Sequence, residues 1–156
     1  MDKTKVKIPV SEGLPIIQAM VKNLTLCKEM GETISWIDKR QNKRCIRNFQ
    51  FTFTEADLNK LNAAIWTVGQ RISVINIAYN TDRQVIIDQI RRDLSDIWLP
   101  YIYKDKMNMQ AWWWKQRMIN TSAKGTKCNF SEADIQKINL AVAETAARLL
   151  SIELTP

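Results

Sequence analysis

The chain has 156 residues, 46% of them hydrophobic and 25% charged, a formal net charge of +7 and no histidine. That balance suits one soluble globular domain or two very small ones, with enough chain to bury a core. The lack of histidine removes the commonest general base and nitrogen ligand; with no glycine-rich phosphate loop or Gly-x-Ser-x-Gly elbow, we expect no enzyme and no cofactor.

Four glycines and four prolines leave few sharp turns, which favours helix. The longest uncharged run, Ile72 to Thr81, is about half the ~20 residues that a membrane span needs. Basic Met1 to Lys7 is followed by no apolar signal core, so a cytoplasmic location is expected. Cys27, Cys45 and Cys128 are odd in number and widely spaced, as reduced thiols are rather than metal ligands or disulfides.

In chain order, the first patterned stretch is "LTLCKEMGETISWIDKRQNK". It predicts an apolar helix ending at Met30-Gly31, a Thr33 cap, and a short helix carrying Ile34, Trp36 and Ile37. Two short helices joined by so tight a turn make a helix-turn-helix, and Cys27 is a small residue where the helices would approach. An ordinary helical hairpin is the alternative.

A basic linker follows, then Thr54 as N-cap with Asp57 at the third helical position, a capping-box variant. Phe53 and Leu58 have the spacing of a hydrophobic staple. Leu58, Leu61, Ile65, Val68, Ile72 and Ile75 then form one helical stripe. The pairs Glu55/Asp57 and Glu132/Asp134 could be read as catalytic carboxylates, but their cap positions explain them more simply. Past Asn76, Thr81 and Gln84 have the spacing of a further capping box.

The same pattern then returns. "PYIYKDKMNMQAWWWKQRMI" offers Pro100 for a first helical position and Asn108 in place of Gly31, with Lys104 in place of Cys27. The stretches beginning at Phe53 and Phe130, 77 positions apart, agree at nine of 24 positions. The same offset pairs Ile17 with Leu94, Met30 with Met107, Trp36 with Trp113 and Arg40 with Arg117. The expected fold is therefore all-α: two tandem helix-turn-helix-like repeats, each closed by a long capped helix and related by an approximate internal twofold. The repeats span 14–76 and 91–153, with 77–90 connecting them. Strands in the basic linkers would make each unit a winged variant.

The run "MGETISWIDKR", the basic linker and "FTFTEADLNKLNAAI" together resemble small helix-turn-helix-like proteins of Bacteroidetes genomes and mobile elements. The second copy carries the resemblance through Trp113, Lys115, Arg117, Gly125, Phe130 and Ser131. The resemblance implies the fold chiefly, and a transcriptional regulator or mobile-element accessory factor as the setting.

Charge concentrates in one segment of each copy. From Trp36 to Thr52, Lys39, Arg40, Lys43, Arg44 and Arg47 stand against Asp38 alone. From Trp113 to Asn129, Lys115, Arg117, Lys124 and Lys127 face no acid. In a helix-turn-helix that segment meets the major groove and the phosphates beside it, so duplex DNA is the expected partner. Ser35, Lys39, Gln116 and Arg117, on the short second helices, are the candidates for base edges. Trp112 and Trp114, which flank the core indole Trp113, are candidates for a protein interface or homodimer contact, with packing of one flank on the other repeat as the alternative for that side. The alternative is a helical protein-interaction module whose basic linkers meet an acidic protein.

Overall fold

A computed structural model describes residues 4–119 and 128–156. It begins with β1 (Val6–Pro9), α1 (Val10–Met20), α2 (Asn23–Met30) and α3 (Ile34–Gln41). A small hairpin of β2 (Cys45–Ile46) and β3 (Phe49–Gln50) leads to α4 (Glu55–Ser73). Next come α5 (Arg83–Asp93), a π-helical segment (Tyr101–Lys106) and α6 (Ala111–Ile119). The chain closes with α7 (Glu132–Ser151) and β4 (Ile152–Thr155). The fold is mostly helical, and no described helix is long and apolar enough to cross a membrane.

The two longest helices begin where their caps dictate. The Thr54 hydroxyl accepts from Asp57 N at 3.2 Å, and the Asp57 carboxylate accepts from Thr54 N at 3.0 Å. Ser131 and Asp134 repeat the exchange at 3.1 and 2.9 Å. Each box satisfies two backbone donors that a helix start would otherwise leave unpaired. The stripe on α4 is buried at Leu58, Leu61, Ile65, Val68 and Ile72, whereas Ile75 lies past the helix end and is half-buried. α4 makes its most extensive contact with α7. At Gly69 they come so close that a β-carbon would lie 3.0 Å from Leu150 Cδ2 and 3.2 Å from Leu149 Cβ.

One core runs through both halves, from Leu14, Ile17 and Leu26 to Ile138, Val142 and Leu149. Two asparagines clasp distant backbone across it. Asn62 donates to Leu154 O and accepts from Leu154 N, both at 2.8 Å. Asn139 donates to Ile77 O at 2.9 Å and accepts from Ile77 N at 2.8 Å. Near the end of α1 the two halves also touch through backbone. Val21 and Ile97 form an antiparallel bridge, with Trp98 N donating to Met20 O at 2.9 Å.

Three features depart from the expected pattern. The chain ends pair as parallel strands, with Val6 opposite Ile152 and Pro9 opposite Thr155. Ile152 and Leu154 are buried, and a β-carbon on Gly13 would lie only 2.3 Å from Leu154 Cδ2. Second, Asp82 rather than Thr81 caps α5, its carboxylate accepting from Gln84 N at 2.9 Å. Third, the segment 101–106 is wound as a π-helix and closes at Asn108, whose φ is +55°. Lys104 is exposed there, while Cys27, 77 positions earlier on an ordinary α-helix, is 1% exposed. A lysine could not take the cysteine's buried place without a large desolvation penalty.

Candidate nucleic-acid interface

The turn between α2 and α3 is set by Gly31 at φ +69°. Glu32 N donates to Cys27 O at 2.8 Å and Gly31 N to Lys28 O at 3.2 Å, the paired closure that a left-handed residue makes at a helix end. Cys27 is buried under the turn, with its thiol 3.3 Å from Thr33 O. Burial, then the charge of Glu32, pushes that thiol up, so it stays protonated and unreactive.

α3 is held by its inner face. Ile37 is buried, and Trp36 meets Phe53 edge to face at 6.0 Å. The Arg40 guanidinium lies 4.2 Å above the Trp36 ring, and its Nε donates to Asp57 Oδ2 at 3.0 Å. Burial raises the Asp57 carboxyl, but the Thr54 backbone N–H, the Arg40 guanidinium and the Thr54 hydroxyl outweigh it and hold it below the usual carboxylate range. The same set of contacts recurs on α6. Trp113 meets Phe130 at 6.2 Å, Arg117 sits 4.0 Å over Trp113, and Arg117 Nε is 3.4 Å from Asp134 Oδ2. That second ion pair lacks hydrogen-bond alignment, leaving Arg117 Nε without a hydrogen bond among the described residues.

Arg40 and Arg117 therefore face inward, their side chains 17% and 19% exposed. The expectation that they point outward to DNA is corrected by this geometry. An arginine four residues after a tryptophan can fold back over the ring within one helical turn.

The outer face of the first unit is basic. Ser35, Lys43, Arg44 and Arg47 are exposed, and half-buried Lys39 extends its ammonium 5.4 Å from the Phe51 ring. Asp38 stands among them and is engaged by Arg44 at 3.0 Å and by the Asn42 amide at 2.7 Å. That ion pair is open to solvent and contributes little stability. Gln41 and Gln18 exchange amide hydrogen bonds at 2.9 Å, fixing the end of α3 to α1.

After α3 the chain makes the hairpin. Ile46 pairs with Phe49 and Cys45 with Gln50, leaving Arg47 and Asn48 as a two-residue loop. Both have positive φ, +50° and +66°, as a type I′ turn requires. Phe51 N donates to Arg44 O at 3.0 Å, and the Phe51 ring lies edge to face with Phe49 at 5.0 Å. The strands put a small exposed hairpin between α3 and α4. Its two apolar residues, Ile46 and Phe49, escape a reading based on charge alone. Asn48 is the one turn-forming signal in the sequence, because Arg47 is an unusual residue at positive φ.

The second unit differs. Lys115 is exposed, and Gln116 is half-buried with its Oε1 3.8 Å from the Cys128 sulfur. Lys124 and Lys127, the remaining candidates for DNA contact, lie outside the described residues. Of the flanking tryptophans only Trp112 is exposed, at 60%. Trp114 is 7% exposed, stacked on Tyr103 at 5.2 Å and edge to face with Phe130 at 5.8 Å, so its place at a protein interface is corrected to a place in the core. Three consecutive helical side chains span about 200°, and here Tyr103 widens the core enough to receive two of the three indoles.

Among the described residues, no cluster of histidine, cysteine, aspartate and glutamate could hold a metal ion. Comparison with protein families, curated proteins and solved structures finds no match to the chain.

Proposed function

We propose that the chain is a fused pair of helix-turn-helix-like units related by an approximate twofold, the first of them carrying a wing, and that this first unit binds duplex DNA. The fusion is supported by reciprocity at the 77-residue offset. Asn62 and Leu154 clasp as Asn139 and Ile77 do, and each pair becomes the other when its members are exchanged for their counterparts. The bridge between Val21 and Ile97 and the bond between Met20 and Trp98 exchange in the same way. Such reciprocity is what an isologous contact between two fused copies would produce, and it supports the reading.

One observation carries the DNA reading: of the basic residues on α3 and the hairpin after it, Lys43, Arg44 and Arg47 are exposed and Lys39 half-buried, outside the core. In this reading α3 serves as the recognition helix, with Ser35 and Lys39 meeting base edges and the wing cations meeting phosphates. A transcriptional regulator or mobile-element accessory factor is the role that suits this arrangement. Fluorescence anisotropy with random and genomic duplexes tests it. Replacing Lys43 and Arg44 together by Glu should weaken binding across all sequences with folding intact; unchanged affinity would reject the reading.

A second reading has its own support. Trp112 and Ile119, two turns apart on α6, are 60% and 54% exposed. If the charge reversal leaves DNA affinity unchanged while Trp112→Ala abolishes self-association or partner capture, the chain is a protein-interaction module.

A further inference from the structure

The wing displays two large apolar side chains side by side. Ile46 is 43% exposed and Phe49 63% exposed, and they face each other across the hairpin next to the turn. Isolated apolar residues on a surface are ordinary, but these two are paired across a hairpin. A hairpin of two residues per strand is marginal alone. Here Phe51 anchors it, its ring packed against Phe49 and lying 5.4 Å from the Lys39 ammonium and 5.8 Å from the Arg40 guanidinium. Cations flank the hairpin: Arg44 lies opposite Phe51 at its base, Arg47 is in the turn, and the Lys39 ammonium reaches the Phe51 ring. The one acid from Trp36 to Thr52, Asp38, is already paired with Arg44.

We propose that Ile46 and Phe49 form an apolar wedge that enters the minor groove of the bound duplex, parts a base step and bends the DNA. The inference rests on the DNA-binding reading and adds to it a distorted duplex as the ligand. Charge complementarity favours this occupant. An apolar protein surface would leave Lys39, Lys43 and Arg47 unmatched, whereas a duplex offers phosphates to the cations and base faces to the Phe49 ring. Inserted apolar side chains kink DNA by partly unstacking a step, at a cost offset by the additional protein surface that the bent duplex meets.

The test uses the full chain and duplexes carrying 2-aminopurine at successive positions, with a donor and acceptor dye at the two ends. Wild-type protein should raise 2-aminopurine fluorescence at one step and shorten the end-to-end distance. Phe49→Ala should lose both signals and weaken binding on the order of tenfold, while keeping the salt dependence that the cations supply. Phe49→Leu keeps apolar bulk and should retain the bend. Phe49 is mostly exposed, so circular dichroism should show both variants folded. If wild type binds with salt-dependent affinity but Phe49→Ala unstacks and bends the duplex equally, the wedge is rejected and DNA binding stands. If wild type binds no duplex at low salt, both fall together.

Discussion

Asp57 joins three parts of the first unit: it caps α4, pairs with Arg40 of α3, and thereby holds the guanidinium over Trp36. Asp57→Ala removes a charge-assisted hydrogen bond contributing about 1.5–3 kcal/mol and half of a cap worth about 0.5–2 kcal/mol. The two losses overlap, so the expected destabilisation is about 2–4 kcal/mol. The side chains of Arg40 and Asp57 are 17% and 16% exposed, so solvent screens the pair only partly. Guanidinium chloride titrations of wild type, Asp57→Ala, Arg40→Ala and the double variant should give a coupling energy of about 1–3 kcal/mol. The pH dependence follows from the lowered carboxyl. A group whose folded pKa lies below its unfolded value of about 3.9 stabilises fully above that value. Its contribution is lost as pH falls through the folded value. Wild type should therefore lose stability more steeply than Asp57→Asn below pH ~4. Parallel acid curves, or a coupling energy near zero, would refute the structural role given to the pair.

Three further outcomes are expected. Gly31→Ala should cost about 1 kcal/mol, from backbone strain alone, because φ is +69° and the site is open; Gly31→Asn should cost less, since Asn108 holds φ +55° at the counterpart turn, and denaturant midpoints check both. Asn62→Ala should destabilise by about 1–3 kcal/mol by leaving Leu154 N–H and C=O unpartnered, and should speed hydrogen exchange at the Leu154 amide. Thr54→Ala and Ser131→Ala should each cost about 0.5–2 kcal/mol in thermal unfolding, with no loss of DNA affinity in the folded protein.

The helical part of this fold was legible where local chemistry decides the outcome. Thr54 with Asp57 and Ser131 with Asp134 announce two helix starts, and Gly31 and Asn108 announce two left-handed turns. What escaped depends on partners distant in sequence. β1 and β4 are four residues each, and their pairing exists only because the chain ends meet over Gly13 and Asn62. The inward turn of Arg40 depends on Asp57, which charge counting treats as unrelated. Trp114 looked available because its outlet, Tyr103, lies on a segment whose π-helical winding has no simple sequence signature. At Thr81-Asp82, spacing favoured the threonine, while the aspartate one position on accepts the bond. Of the candidate interface, the charge was readable and the wing's apolar pair was not, since hairpins usually advertise themselves with Asn-Gly and this one turns on Arg47-Asn48.

The DNA-binding reading is tested most directly by the salt dependence of duplex affinity. Each neutralised phosphate contributes about −0.9 to the slope of log affinity against log salt, so phosphate contacts by Lys43, Arg44 and Arg47 predict a slope of about −2.7 for the first unit alone. Anisotropy titrations across a salt series should give at least that steepness for wild type, and a slope about two units flatter for the protein with Lys43 and Arg44 both replaced by Glu. A wild-type slope near zero, or one that the double reversal leaves unchanged, would contradict it.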